Sequence, residues 1–145
     1  MLAIIFRSDE LEFSISASFI QEITRMVKID YFPTETGKID SVINYRGKNI
    51  PVMDICKYLG KKRRPYTKEN IIVVLNYQGQ EIAILTDDVL DKLEIETNDI
   101  KAFDNLTNDY FPAFFNINEK IIPLLNMKKV AYDLKKDAEN LTLAS

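Results

Sequence analysis

The chain has 145 residues, 46% hydrophobic and 28% charged, which is the size and balance of one compact domain with a buried core. A net charge of −3 and a pI near 5.1 argue against a nucleic-acid binder, which carries a basic face. With no histidine, one cysteine and four glycines, the sequence excludes a histidine base and a Cys-cluster zinc site and leaves little material for a phosphate cradle.

Taken in order, Ala3 to Arg7 reads as a short apolar strand. Ser8-Asp9-Glu10 turns it, and Leu11, Phe13 and Ile15 alternate as a second strand. Phe19, Ile20 and Ile23 have spacing that allows one helical turn around Gln21 and Glu22. Lys28 to Lys38 reads as a loop containing Phe32-Pro33 and Gly37. Val42 and Ile43 then lead into a hairpin, Asn44-Tyr45-Arg46-Gly47-Lys48-Asn49, with Gly47 supplying the turn. Ile50, Val52 and Ile55 resume the apolar pattern across Pro51, and Gly60 stops it. A proline cannot donate a ladder hydrogen bond, so this strand is expected at an edge or beginning at Pro51. Lys61-Lys62-Arg63-Arg64 opens a charged linker that reads as a solvated loop, with an electrostatic docking patch as the alternative.

Ile71 to Tyr77 is the plainest strand of the chain, Gln78-Gly79-Gln80 its turn, and Glu81 to Leu85 the return. Thr86-Asp87-Asp88 leads into Val89, Leu90, Leu93 and Ile95. Residues 101 to 112 read as a polar loop holding Phe103, Tyr110 and Phe111. Phe114 to Leu125 forms another hairpin around Asn118-Glu119-Lys120. From Asn126, a candidate cap, Met127, Val130, Ala131, Leu134 and Ala138 recur at helical spacing.

An internal repeat runs through these elements. Ile50-Pro51-Val52-Met53-Asp54-Ile55 aligns with Ile122-Pro123-Leu124-Leu125-Asn126-Met127 at an offset of 72 residues, and Phe19-Ile20-x-x-Ile23 aligns with Val89-Leu90-x-x-Leu93 at 70. Half-lengths near 70 residues predict two similar small β lobes within a single domain spanning 1–145, interleaved at approximately 15–70 and 71–125 plus the terminal segments.

Little in the chain suggests catalysis. Asp87-Asp88 with Asp91 reads as a capped turn with a solvated acidic face rather than a cation site. Phe111, Phe114 and Phe115 read as core, and Cys56 as a small packing residue in a reducing compartment. Met1 to Phe6 is too short for a signal peptide, and no run approaches the roughly 18 apolar residues of a spanning helix. The expectation is a non-enzymatic, cytoplasmic protein that binds other proteins, with neither metal nor cofactor and with no insertion into the membrane. Arg46 beside Tyr45 on the hairpin is the candidate anchor, since interfaces rely on a few arginine and aromatic residues; a loop arginine without a partner is the alternative.

The run V-I-N-Y-R-G-K-N-I-P-V-M-D-I, from Val42 to Ile55, resembles the signature of the CheW-like family, G-V-I-N-L-R-G-x-x-x-P-V-x-D-L-R. Leu11 to Arg25, Ile71 to Val89 and Phe114 to Lys129 are similar to further pieces of that family in the same order, so the resemblance covers nearly the whole chain. It implies an all-β fold with a short C-terminal helix, built as two SH3-like five-stranded β-barrel lobes packed together. It also implies an adaptor without catalytic activity that binds the regulatory domain of the histidine kinase CheA and the cytoplasmic tips of chemoreceptors in membrane-bound arrays. By position, the resemblance makes Arg46, Glu22, Ile20, Tyr45, Ser41 and Val42 partner-binding residues, and gives Asn44 and Gly47 a role in hairpin geometry. Ser41 stands where the family has Gly, Tyr45 where it has Leu, Cys56 where it has Arg and Asn126 where it has Asp. These departures suggest an atypical member, serving a specialised array or another chemosensory kinase. A small-ligand-binding β module, with a groove between the lobes, is the rival reading.

Overall fold

The computed structural model describes residues 1–31, 41–58, 66–103 and 109–144, without the side chains of 58 and 137–144. The expectations for 32–38, 59–65 and 104–108 lie outside the described residues, the basic run among them. Four strands come first: β1 (Leu2–Ser8), β2 (Leu11–Ser16), β3 (Ile20–Arg25) and β4 (Ile29–Tyr31). The signature hairpin is β5 (Ser41–Tyr45) and β6 (Lys48–Asp54), followed by α1 (Ile55–Tyr58). The second half runs β7 (Ile71–Tyr77), β8 (Gln80–Thr86), β9 (Asp88–Glu94), β10 (Lys101–Ala102), β11 (Ala113–Ile117) and β12 (Lys120–Leu124), and closes with α2 (Met127–Ala144), 18 residues long.

Two six-stranded sheets result, ordered β3-β7-β8-β6-β5-β4 in a central lobe and β10-β11-β12-β2-β1-β9 in a terminal lobe. Each is five longer strands plus one short edge strand, β4 or β10, in stretches that the sequence pattern reads as loop. The lobe boundaries differ from 15–70 and 71–125. The central lobe runs from β3 to β8, residues 20–86, because hairpin β7–β8 pairs with β3 and β6, while hairpin β1–β2 pairs with β9 and β12. Each half of the chain gives its first hairpin to the other half's sheet.

Burial explains the exchange. In β7, Ile72 and Val74 face the interior of the central lobe, while Val73 and Leu75 face a second core shared with Phe6, Phe13, Met53, Ile82 and Ile84. Both faces of the strand are covered, which is why its apolar run is unbroken rather than alternating. A third cluster, Ala3, Ile5, Phe115 and Ile122, fills the terminal lobe. Helix α2 lays Met127, Val130, Ala131 and Leu134 on the shared core. Asn126 takes the cap position, its carbonyl accepting from Val130 N–H, but its side-chain amide turns to the Asp109 carbonyl. Phe111 and Phe115 are buried, and Phe114 is half-buried and stacked on Phe103 at 4.4 Å.

Pro51 lies inside β6 rather than at its start. It pairs with Val42 of β5, and parallel pairing with β8 begins one residue later, at Val52↔Ala83. Pro123 repeats this, pairing with Phe114 just before Leu124↔Ser14. Both prolines therefore occupy a stretch whose other edge is unpaired, where the missing N–H is tolerated. Instead of a helical turn across Phe19 to Ile23, a 3-10 turn at Ala17–Phe19 feeds directly into β3. Strand register sets the second repeat offset at 69 rather than 70: Ile20↔Leu75 corresponds to Val89↔Phe6.

Leu75 is fully buried in the shared core. Leu75→Ala should cost about 2–5 kcal/mol in a urea titration, and both lobes should still unfold in one transition. Separate transitions for the two lobes would contradict the shared core.

Candidate functional site

The β5–β6 turn is a two-residue link in which Arg46 (φ 49°) and Gly47 (φ 82°) both adopt left-handed backbone, the geometry that follows the twist of paired strands. Gly47 suits it without strain. Arg46 does so at a cost of roughly 1–2 kcal/mol relative to ordinary backbone. Asn44 Oδ1 accepts a hydrogen bond from Gly47 N–H at 3.3 Å, and Asn76 Oδ1 accepts from Gly79 N–H at 2.9 Å in the β7–β8 turn. Asn44 and Gly47 thus shape the hairpin.

Arg46 projects from this turn with 70% of its side chain exposed. Its guanidinium lies 5.1 Å from the centroid of the Tyr45 ring, and its Nη2 is 3.7 Å from Glu22 Oε1 on β3. The Tyr45 ring is buried in the central lobe. Lys48 Nζ, across the turn, donates to Glu81 Oε1 at 3.2 Å. Ile20 is half-buried against the shared core beside Phe19. The fold therefore brings Ile20, Glu22, Tyr45 and Arg46 to one end of the central lobe, from two strands that are not neighbours in the sheet.

Ser41 and Val42 are placed differently. Ser41 is fully buried, with its hydroxyl lacking a hydrogen-bond partner among the described residues, so its side chain presents no surface to a partner. Any influence it has on docking passes through the β5 backbone. Val42 is half-buried on the opposite face of β5, the face it shares with Asn44.

Sequence reasoning missed the polar layer beneath Arg46. Gln21 Nε2 donates to Glu81 Oε2 at 2.9 Å and reaches Tyr45 Oη at 3.4 Å, while Asn76 Nδ2 donates to Gln21 Oε1 at 3.2 Å. The only sequence signal was Gln21 ahead of Glu22 on a strand of alternating exposure. Hydrogen bonds from Gln21 and Lys48, with the charges of Lys48 and Arg46, hold the Glu81 carboxyl below its ordinary value of 4.5.

Two concavities lie elsewhere. One, of about 380 Å³, is lined by Ser8, Asp54, Cys56, Tyr66, Asn70 and Asp87 among others. Asp87 there accepts from Asn70 Nδ2 and Asp9 N–H and sits 3.6 Å from Arg7. The other, of about 340 Å³, is rimmed by Leu90, Asp91, Ile117 and Asn118 of the terminal lobe. No group of three His, Cys, Asp or Glu side chains placed to hold a metal occurs among the described residues, and none of their helices is long and apolar enough to cross a membrane.

Comparison with known families gives a match to the CheW-like domain over residues 2–135, nearly the whole chain. The chain belongs to the CheW-like family. It is 27% identical over 111 residues to a chemotaxis protein CheW of Rhizobium meliloti, covering 77% of this chain and 72% of that protein. It is also 27% identical over 99 residues to the CheW of Bacillus subtilis, covering 68% and 64%. The fold matches the scaffolding protein TtCheW of Thermoanaerobacter tengcongensis with a TM-score of 0.77 at 25% identity, over 86% of this chain and 88% of that one. The two-lobed, mostly β architecture is thus that of the CheW-like family.

Glu81 gives a pH prediction. A carboxyl whose folded pKa is lowered adds stability that is fully present above the unfolded value, here 4.5, and is lost as pH falls through the lowered folded value. Glu81→Gln should therefore lower the thermal midpoint at pH 7, with the gap to the parent protein closing as pH drops below 4.5. A gap independent of pH would show that the charge on Glu81 contributes nothing.

Proposed function

We propose that the chain is a non-enzymatic scaffold of bacterial chemosensory signalling, acting in the cytoplasm at the receptor tips of membrane-bound arrays. It couples chemoreceptors to the regulatory domain of a CheA-type histidine kinase by holding both in fixed relative positions, and the Arg46 end of the central lobe carries a docking contact. Membership of the CheW-like family supports the reading, as do relatives described as chemotaxis and scaffolding proteins. One observation carries the site: an exposed guanidinium held at a hairpin tip in left-handed backbone, with Glu22 of a separate strand beside it. Arginine and aromatic anchors supported by half-buried apolar groups are what protein interfaces are built on. Ile20 and Val42 supply apolar surface at or near this end, and Ser41 acts by setting the β5 backbone. No cofactor enters this mechanism.

The small-ligand reading draws on the 380 Å³ cavity beside Asp54 and Asp87. A metabolite bound there would raise the thermal midpoint, whereas an adaptor responds to a protein partner.

The test is calorimetric titration with the kinase regulatory domain from the same genome. One-to-one binding is expected. Arg46→Glu should weaken it by roughly a hundredfold, in the range of an interface anchor, while thermal unfolding stays cooperative. Arg46→Asn provides a control, because asparagine accepts left-handed backbone readily and should leave the turn intact while removing the guanidinium. Full binding by both variants would remove Arg46 from the kinase contact. Absence of binding by the parent protein would direct the search to another chemosensory kinase.

A further inference from the structure

The repeat supplies an internal comparison for the Arg46 end. Strand register makes each of its positions equivalent to one in the terminal lobe. Tyr45↔Lys48 of the β5–β6 hairpin corresponds to Ile117↔Lys120 of β11–β12, and Asn76↔Glu81 corresponds to Arg7↔Glu12. Both β3 and β9 carry a register shift at the same place, with Gln21 and Leu90 as the extra residues. Arg46 corresponds to Asn118, also in left-handed backbone.

One interaction is common to both ends. Lys120 Nζ stands 2.7 Å from Glu12 Oε2, as Lys48 Nζ stands 3.2 Å from Glu81 Oε1, so each hairpin is tied to its neighbour by a lysine–glutamate pair. Beyond that pair the two ends differ: in the terminal lobe Ile117, Asn118 and Leu90 rim the open concavity of about 340 Å³. The central lobe has at this end a layer that the terminal lobe lacks: a tyrosine whose ring carries a guanidinium and whose hydroxyl is approached by a glutamine. That glutamine is fixed at both ends, by Asn76 and by Glu81. Tyr45 is buried, so its ring cannot swing, and a buried tyrosine hydroxyl needs a polar partner such as Gln21 supplies.

Charge at this end is also layered. Arg46 and Lys48 are 70% and 72% exposed, whereas Glu22 and Glu81 beside them are 38% and 15% exposed. The outward charge is positive, and the carboxylates lie behind it.

We propose that Tyr45, anchored through Gln21 and Glu81, is a positioning residue that pre-orients the Arg46 guanidinium for a carboxylate-bearing partner surface. The ring limits the rotamers of Arg46 before docking, so less freedom is lost on binding, and Glu22 yields its loose 3.7 Å pair to the partner's carboxylate. The proposal rests on the docking reading above, and its test separates the two.

The experiment is 15N relaxation at the Arg46 Nε–H of the full chain, with the kinase regulatory domain titrated in parallel. The substitutions are those the terminal lobe already accepts, Tyr45→Ile and Gln21→Leu, with Tyr45→Phe to keep the ring and remove the hydroxyl. In the parent protein the Arg46 Nε–H should be nearly as restrained as the backbone. Tyr45→Ile should free it, and Tyr45→Phe and Gln21→Leu should give intermediate values. Affinity for the regulatory domain should fall about two- to fivefold in Tyr45→Ile, the scale of an exposed cation–π contact. An Arg46 signal unchanged by Tyr45→Ile and Gln21→Leu overturns the positioning role, whatever the binding data say. A signal freed by Tyr45→Ile, alongside full binding by Arg46→Asn, overturns the docking reading and leaves the positioning itself standing.

Discussion

In the hairpins β1–β2 and β7–β8, the strands β1, β7 and β8 have apolar side chains on both faces, and a strand of that kind is stable only with something packed on each side. The chain meets this constraint by exchange. Each hairpin completes the sheet of the other half, and its second face joins the core between the lobes. The hand-over is made by β6 and β12, which begin as the return strand of a hairpin and turn to parallel pairing one residue past a proline. Neither half could form its sheet alone, because each lacks the hairpin its partner holds. The shared core is therefore a consequence of strand pairing as well as of apolar packing.

That arrangement leaves the hairpin tips as the free ends of a stiff body. At the β7–β8 and β11–β12 tips, Gly79 and Asn118 take the left-handed backbone of the turn. At the β5–β6 tip the chain places an arginine in left-handed backbone and surrounds it with an aromatic ring, two carboxylates and an amide. Asp9, Gln78, Asn118 and Glu119 adopt similar backbone elsewhere, so strain alone does not mark a site. What distinguishes Arg46 is the support beneath it, which its equivalent in the terminal lobe lacks. Rigid support and an exposed charge together are what the proposed docking role requires.

Much of this was legible in the sequence. Arg46-Gly47 between apolar strands gives the hairpin, and the shared I-P register gives the two-lobed plan, because turns and alternation are local properties. The lobe boundaries were not legible, since which strand a hairpin pairs with is decided by cores far apart in sequence. The second repeat offset is 69 rather than 70 because matching apolar residues aligns Ile20 with Leu90, whereas strand pairing makes it equivalent to Val89. Ser41 occupies a position that family resemblance makes partner-binding, yet its side chain is wholly inside. The Gln21–Glu81–Asn76 layer was invisible, because polar residues on alternating strands look the same whether they bond to water or to one another.

Hydrogen–deuterium exchange in the presence of the kinase regulatory domain tests the central claim, that the central lobe docks by its Arg46 end, most directly. The account predicts new protection concentrated in peptides from β3 and the β5–β6 hairpin, with α2 unchanged. Protection confined to α2 or the terminal lobe, with β3 and the hairpin exchanging as in the free protein, would contradict it.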